Sequence, residues 1–344
     1  MRVERGPART LVTRGALTES THLACVVIAE PPRRTRPDGE IRCFGDPATG
    51  TFLRSVAKPF QTLALFRSGA VDAFGLSAEE IAVVTASHAG ELFHHQLVER
   101  LLRRNGLEPE QLRCGIHPPF AASERRRRQL SGEALSVLGN NCSGKHSGML
   151  LHARLIGAEL ATYLEPEHPV QAAVRLLLEE FADMQLVTAL LGVDGCGAPT
   201  YSLPLAAIAR AFARLSDDSA LARFGLVAAR DRLEQAVRQQ PRAFSGEDRL
   251  PFLLSTLSDG QWLAKEGAEG VFIVWGRRGA IAIKCLDGAE RGYRYLLPVL
   301  LHREGWIDAA AFARWQATDP PLVHNVAGLP VGDIRVELPA LGIV

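Results

Sequence analysis

The sequence predicts an α+β fold in which the two ends of the chain make an antiparallel sheet and a helical middle region packs on it. Three observations carry this. His22 to Ala29 is β-branched and apolar enough for a buried strand, and Ile41 to Gly45 reads as its return after a Pro/Gly turn at Arg33 to Gly39. The far end repeats the pattern, with strands at Val271 to Trp275, Ala280 to Leu286 and Ile334 to Leu338 and turns at Gly276 to Gly279 and Asp287-Gly288. Between these ends, apolar residues recur at helical spacing. No internal repeat or low-complexity linker divides the chain, so residues 1–344 are expected to form one domain with a helical subdomain in its middle.

The middle elements follow from their own signals. Phe60, Leu63, Ala64 and Leu65 continue a helix that begins near Lys58. Ser77-Ala78-Glu79-Glu80 is a capping box for a helix through Ile81 to Ala86. Glu91 to Arg104 is amphipathic, with Gly106 placed as its C-cap. Ser123 is placed to cap a helix whose Arg125 to Arg128 run reads as a solvated face. Pro169 to Met184, Leu203 to Leu215 and Asp218 to Gln239 each read as one helix, the last on the surface. Glu290 to Arg303 and Ala309 to Gln316 complete the set.

Composition narrows the function. With 344 residues and 47% hydrophobic content, the chain can bury a large core. A net charge of +1 gives no field to attract nucleic acid or an anionic membrane. No apolar run reaches a membrane-spanning length, and the N-terminus lacks a signal-peptide core, so a cytoplasmic location is expected. Six dispersed cysteines do not form a disulfide framework and are expected as free thiols, some of them available to metal. Only four of the 39 basic residues are lysines (Lys58, Lys145, Lys265 and Lys284). A lysine can lose its proton when buried and act as base, nucleophile or ligand, which arginine cannot. Three of the four sit in segments punctuated by Gly, Ser or Pro.

Polar chemistry is concentrated in a few places. Asn140 to Gly148 packs a thiol, a lysine, an imidazole, two hydroxyls and two glycines into nine residues and reads as a loop feeding a helix that starts at Met149. Ser87-His88-Ala89-Gly90-Glu91 is a second small polar cluster, and Gly192 to Thr200 a third, with Asp194 and Cys196. Ser55 and Lys58 lie at a helix start, where spacing i,i+3 puts both side chains on one face. A serine needs a neighbour to take its proton, and a desolvated lysine beside a second cation can do so. Cys142, Lys145, Asp194 and Cys196 carry donors that suit zinc, with lysine the unusual member. On residue type alone, zinc and two free cysteines are equally good readings. Cys25, Cys43, Cys114 and Cys285 sit in apolar surroundings and read as small core residues.

Five motifs occur in order: Arg54-Ser55-x-x-Lys58-Pro59-Phe60-Gln61, Ala86-Ser87-His88-x-Gly90-Glu91, Asn141-Cys142-Ser143-Gly144-Lys145-His146, Asp194-Gly195-Cys196-Gly197 and Lys265-Glu266-Gly267-Ala268-Glu269-Gly270. Together they resemble the asparaginase II family, the Rhizobium etli-type L-asparaginases. Arg14-Gly15-x-x-x-Glu19-Ser20-x-His22 and Lys284-x-x-Asp287-Gly288 resemble it too, so the likeness covers about residues 10 to 320. The resemblance implies a fold similar to serine β-lactamases and glutaminases, a homodimer, and hydrolysis of the L-asparagine side-chain amide to L-aspartate and ammonia. It implies two Ser–Lys tandems, Ser55 with Lys58 and Ser87 with Lys265. In the mechanism that follows, Lys58 takes the proton of Ser55, which attacks the amide carbon, while Ser87 and Lys265 relay protons. It implies zinc on Cys142, Lys145 and Cys196 with Asp194 close by, and makes Arg54, His146 and Asp194 the expected substrate contacts. Two departures, Glu266 after Lys265 and Val56-Ala57 after Ser55, bear on substrate preference and remove no catalytic group.

Two other readings compete. A β-lactamase-like or penicillin-binding hydrolase shares the Ser-x-x-Lys start but needs a late Lys-Thr/Ser-Gly, and none of the four lysines is followed by it. A zinc-stabilised binding or regulatory protein would need the metal loops but not both serine–lysine pairs.

Overall fold

The apolar runs at the two ends of the chain do pair. The structure is a computed structural model and describes residues 2–4, 6–32 and 39–339, so all but the last residue of the expected turn at Arg33 to Gly39 lies outside the described residues. The chain divides into two compact units, one of Met1–Thr51, Leu203–Ser216 and Thr256–Val344, the other of Phe52–Ser202 and Asp217–Ser255.

The first unit holds a nine-stranded sheet among the described residues. Its main path runs Leu322–His324, Pro330–Glu337, Ala8–Arg14, Leu17–Ala29, Gly279–Cys285, Val271–Gly276, Leu263–Gly267. The 13-residue strand Leu17–Ala29 is the hinge of this order. One edge of it pairs first with Ala8–Arg14 and then with Ile41–Phe44, while its other edge takes Gly279–Cys285, with Ile28 opposite Ile281. All these pairings are antiparallel; Arg2–Glu4 joins Ile41–Phe44 in parallel.

Helices cover both faces of the sheet, which explains why its central strands are continuous apolar runs rather than alternating ones. Phe212 of the helix Leu205–Arg214 meets Trp275 at a ring separation of 5.2 Å. Phe272, three residues away and therefore on the opposite face, meets Tyr293 of the helix Glu290–Arg303 at 4.9 Å. The strands Ala8–Arg14 and Leu263–Gly267 went unread in the sequence; the second places Lys265 inside a strand.

The second unit is mostly helical and is built around the helix Ala78–Thr85, against which Lys58–Arg67, Leu92–Arg104, Ser143–Leu155 and Val227–Gln239 pack. Its capping box is complete: the Glu80 N–H donates to Ser77 Oγ at 3.2 Å, and the Ser77 N–H to Glu80 Oε2 at 2.9 Å. Gly106 follows Leu92–Arg104 as expected, its N–H donating to the Arg103 carbonyl.

Three expectations are corrected here. The helix after Asn140 begins at Ser143, six residues before Met149, so Lys145, His146 and Ser147 are buried on a helix and not in a loop. Gly144 and Gly148 serve packing: a Cβ on Gly144 would sit 2.1 Å from the Val83 carbonyl oxygen, and one on Gly148 would press on Val84. The segment from Asp218 is two helices, Asp218–Ala222 and Val227–Gln239, because the chain turns at Phe224-Gly225. Finally, the Arg125 to Arg128 run is not wholly solvated. Its helix starts at Ala122 with Ala121 as cap, not Ser123, and Arg128 is buried, donating to Glu124 at 2.9 Å and pairing with Glu133 at 3.0 Å. A charge this deep needs such partners.

Candidate functional site

Lys58 stands where a tight turn becomes a helix. Arg54–Ala57 forms a 3-10 turn that runs into Lys58–Arg67, with Pro59 at an early position where its missing N–H costs nothing. Arg54 carries φ +47°, a left-handed backbone that a non-glycine residue adopts only when held there. It is held twice: its N–H donates to Thr200 Oγ1 at 3.0 Å and its Nε to Asp194 Oδ1 at 2.6 Å.

The Lys58 side chain is 1% exposed, and Nζ donates to the Ala86 carbonyl at 2.6 Å, to Ser87 Oγ at 2.8 Å and to the Asn141 carbonyl at 3.5 Å. These acceptors are neutral. Burial pulls the Lys58 amine down; Cys142, by its charge and a hydrogen bond, and then Cys196 oppose this without reversing it, and Lys145 adds to the fall. The hydroxyl bonded to Lys58 is that of Ser87, not Ser55. Ser55 is half-buried one turn earlier, and its hydroxyl has no hydrogen-bond partner among the described residues. Ser87 leaves the end of Ala78–Thr85 in a loop shaped by Gly90, whose φ is +73° and whose Cβ would meet the Gly139 carbonyl oxygen at 2.6 Å.

The metal-type residues also meet. Lys145 Nζ donates to Cys196 Sγ at 2.9 Å, and the Cys196 thiol is hydrogen-bonded to Cys142. That bond is the largest influence holding Cys142 well below the ordinary thiol range, against the effect of burial. The same bond, with burial, pushes Cys196 up. Burial also presses on Lys145, but Cys196, Cys142 and Asp194 outweigh it and hold the amine above its ordinary value. None of the six cysteines is in a disulfide and all are buried, and Cys25, Cys43, Cys114 and Cys285 lie in the core as expected.

Among the described residues no group of three His, Cys, Asp or Glu could hold a metal ion. The donors here are two sulfurs and an amine, which fit zinc only if Lys145 gives up its proton, as metal binding drives it to do. The Lys145 amine bonded to the Cys196 sulfur, with Cys142 acting on both, makes that donor set fit, with Asp194 nearby and aimed by Arg54.

His146 lies one residue beyond Lys145, fully buried, its Nδ1 at 2.6 Å from the Tyr163 hydroxyl. That hydroxyl accepts the Arg113 N–H at 2.9 Å. The Nε2 of His146 has no partner within the protein among the described residues. Burial, then the neighbouring amines of Lys145 and Lys58, keep this imidazole well below its ordinary value.

The structure thus gathers Arg54, Ser55, Lys58, Ser87, Cys142, Lys145, His146, Asp194 and Cys196 in one unit. Lys265 lies in the other, 1% exposed, with Nζ donating to the Glu266 carbonyl at 3.0 Å. Sequence reasoning missed Asn141 as an acceptor for Lys58, Thr200 as the anchor of Arg54, and Tyr163 as the partner of His146. The first two flank singled-out residues; Tyr163 carries no local signal at all.

No curated protein matches the chain. The L-asparaginase II family model matches residues 10–336 of 344, and on that match the chain belongs to the L-asparaginase II family, amidohydrolases that act on asparagine.

Proposed function

We propose that this chain hydrolyses the side-chain amide of L-asparagine to L-aspartate and ammonia, with Lys58 as the base and Ser87 as the nucleophile. The observation that carries the assignment is the 2.8 Å bond between Lys58 Nζ and Ser87 Oγ at a fully buried amine. As Ser87 Oγ attacks the amide carbon, its proton passes to neutral Lys58 Nζ. Lys58 returns that proton to the departing nitrogen, and ammonia leaves behind a β-aspartyl ester on Ser87. Lys58 then takes a proton from the incoming water as its oxygen attacks the ester, and passes that proton to Ser87 Oγ as the ester bond breaks, which frees aspartate and restores the hydroxyl and the neutral amine. Arg54 and Asp194, already paired at 2.6 Å, offer the two charges that an α-amino acid needs, and the unpartnered Nε2 of His146 offers a further polar contact.

Ser55 is the second reading for the nucleophile, favoured by its greater exposure and unpartnered hydroxyl. Lys265 belongs to this reading as a proton relay. Cys142, Lys145 and Cys196 would hold zinc, which when bound supplies a Lewis acid that positions or polarises the substrate. A homodimer completes the reading, and light scattering that returned the mass of one chain would remove that part.

Ammonia release from L-asparagine, run beside L-glutamine at equal concentration, tests the function. Release from asparagine is expected. Ser87→Ala should then lower kcat by at least about 10³-fold and Ser55→Ala by far less. The reverse ranking would make Ser55 the nucleophile, and no ammonia from the zinc-loaded wild type would remove the activity.

A further inference from the structure

We propose that His88 is a positioning residue that clamps the Ser87 loop to the first turn of the helix Ser143–Leu155, as a neutral imidazole with its proton on Nε2. The inference rests on the reading of Ser87 and Lys58 given above.

Four groups form a chain of hydrogen bonds with only one possible direction. The Gly90 N–H lies 3.2 Å from His88 Nδ1. An amide nitrogen can only donate, so Nδ1 must hold a lone pair and the ring proton must be on Nε2. From there it reaches Ser143 Oγ at 2.9 Å. Ser143 in turn donates its own proton to the Leu138 carbonyl, also at 2.9 Å. Both ends of the chain are backbone, so the imidazole ties two main-chain segments and not two mobile side chains.

What those segments carry makes the tie consequential. On one side His88 follows Ser87 directly. On the other, Ser143 follows Cys142, the residue that precedes the helix. The His88 N–H adds a bond to the Asn141 carbonyl at 3.2 Å, and that carbonyl is one of the three acceptors of Lys58. His88 therefore fixes Ser87, Asn141 and Cys142 relative to one another without reaching the reacting atoms. Its ring has no exposed surface and lies flat on His94, with centroids 4.7 Å apart and planes within 10°. Burial first, then His94 and Lys58, keep the ring uncharged. A second proton would sit on Nδ1, facing the Gly90 N–H donor to donor.

Five variants and one spectrum decide the matter. His88→Ala should lower kcat for asparagine about 30-fold or more while KM moves less than about threefold, the pattern of a misplaced nucleophile. A glutamine amide places an N–H near the former Nε2, whereas asparagine reproduces only the Nδ1 side. His88→Gln should therefore recover most of the loss and His88→Asn little of it. Ser143→Ala should lose activity in the same direction, and the double variant His88→Ala with Ser143→Ala should be no worse than His88→Ala alone. Nitrogen-15 spectra of the imidazoles should show His88 protonated only on Nε2, with that signal displaced in Ser143→Ala.

A change confined to KM, equal rescue by asparagine, multiplying losses in the double variant, or a proton on Nδ1 would each overturn the clamp. If His88→Ala does not fold, the ranking of His88→Gln over His88→Asn decides in its place. If the wild type releases no ammonia from asparagine, the functional reading fails, and the spectrum still decides the clamp.

Discussion

Two lysines of the helical unit are equally hidden and yet are set in opposite directions. Lys58 and Lys145 are 1% and 3% exposed. Lys58 donates to two carbonyls and a hydroxyl, has Cys142 beside it as an opposing influence, and is still pulled down by burial. Lys145 donates to Cys196 beside Cys142 and Asp194 and is held up. Desolvation opposes the charged form of both, so the partners decide the outcome. At Lys58 burial outweighs the neighbouring sulfurs, and at Lys145 the sulfurs and Asp194 outweigh burial.

The largest effect that would break this contrast is at Lys58. Lys58→Arg puts a permanent charge at the same place, and arginine cannot serve as a base. Ammonia release should fall by about 10³-fold or more with the fold unchanged by circular dichroism. More than a tenth of wild-type activity in that variant would remove Lys58 as the base.

The anionic side is tested by Cys196→Ser, which leaves Lys145 with a hydroxyl as its nearest partner. Zinc bound per chain after dialysis, read by metal analysis, should fall by at least about tenfold in affinity. Stoichiometric zinc in that variant would take Cys196 out of the ligand set.

A buried histidine sharpens the rule without entering the reaction. His94 has no exposed surface, its Nε2–H donates to the Arg242 carbonyl at 2.9 Å, and burial lowers its pKa from 6.5 to about 4. Above pH 6.5 the ring is neutral in both the folded and unfolded chain. Between 6.5 and 4 the unfolded chain takes up a proton that the folded chain refuses, so stability falls with falling pH, by about 3 kcal/mol across the window. Denaturant titrations at pH 7 and pH 4.5 should show the loss, and His94→Gln should shrink it. An unchanged slope in His94→Gln would mean that the acid sensitivity comes from elsewhere, with His95 and His152, both also lowered to about 4, the next to test.

The smallest expected effect concerns the frame around both amines. Gly144→Ala drives a methyl into the Val83 carbonyl and should cost about 2 kcal/mol, read as a lower denaturation midpoint. A neutral result would show that the two helices can part without penalty.

The sequence made the sheet legible because its strands are buried on both faces and read as uninterrupted apolar runs, as at Val271–Gly276 and Gly279–Cys285. It made the gathering of Lys58, Ser87, Cys142, Lys145 and Cys196 legible through motif order. It did not reveal who bonds to whom. Spacing i,i+3 points Lys58 at Ser55, and only the fold brings Ser87, 29 residues on, within 2.8 Å. The helix start at Ser143 was hidden because Gly144 and Gly148 are poor helix formers; their value lies in tertiary packing, which overrides propensity. Arg128 looked solvated because Glu133 and the ring of His95 join its helical neighbour Glu124 only in space.

The near-touching main chains at Gly144 and Val83 set a mechanical standard for the site. Most helix pairs are spaced by side chains, so swapping a leucine for a valine lets them settle by a fraction of an ångström. Here the spacer is peptide against peptide, which has no rotamers and does not compress. The separation between the end of Ala78–Thr85, which carries Ala86 and Ser87, and the turn that carries Lys145 is thus gauged by covalent geometry. Drift in the surrounding hydrophobic residues can change how firmly the unit holds together while leaving that gauge, and the reach of Lys58 to its acceptors, as it was.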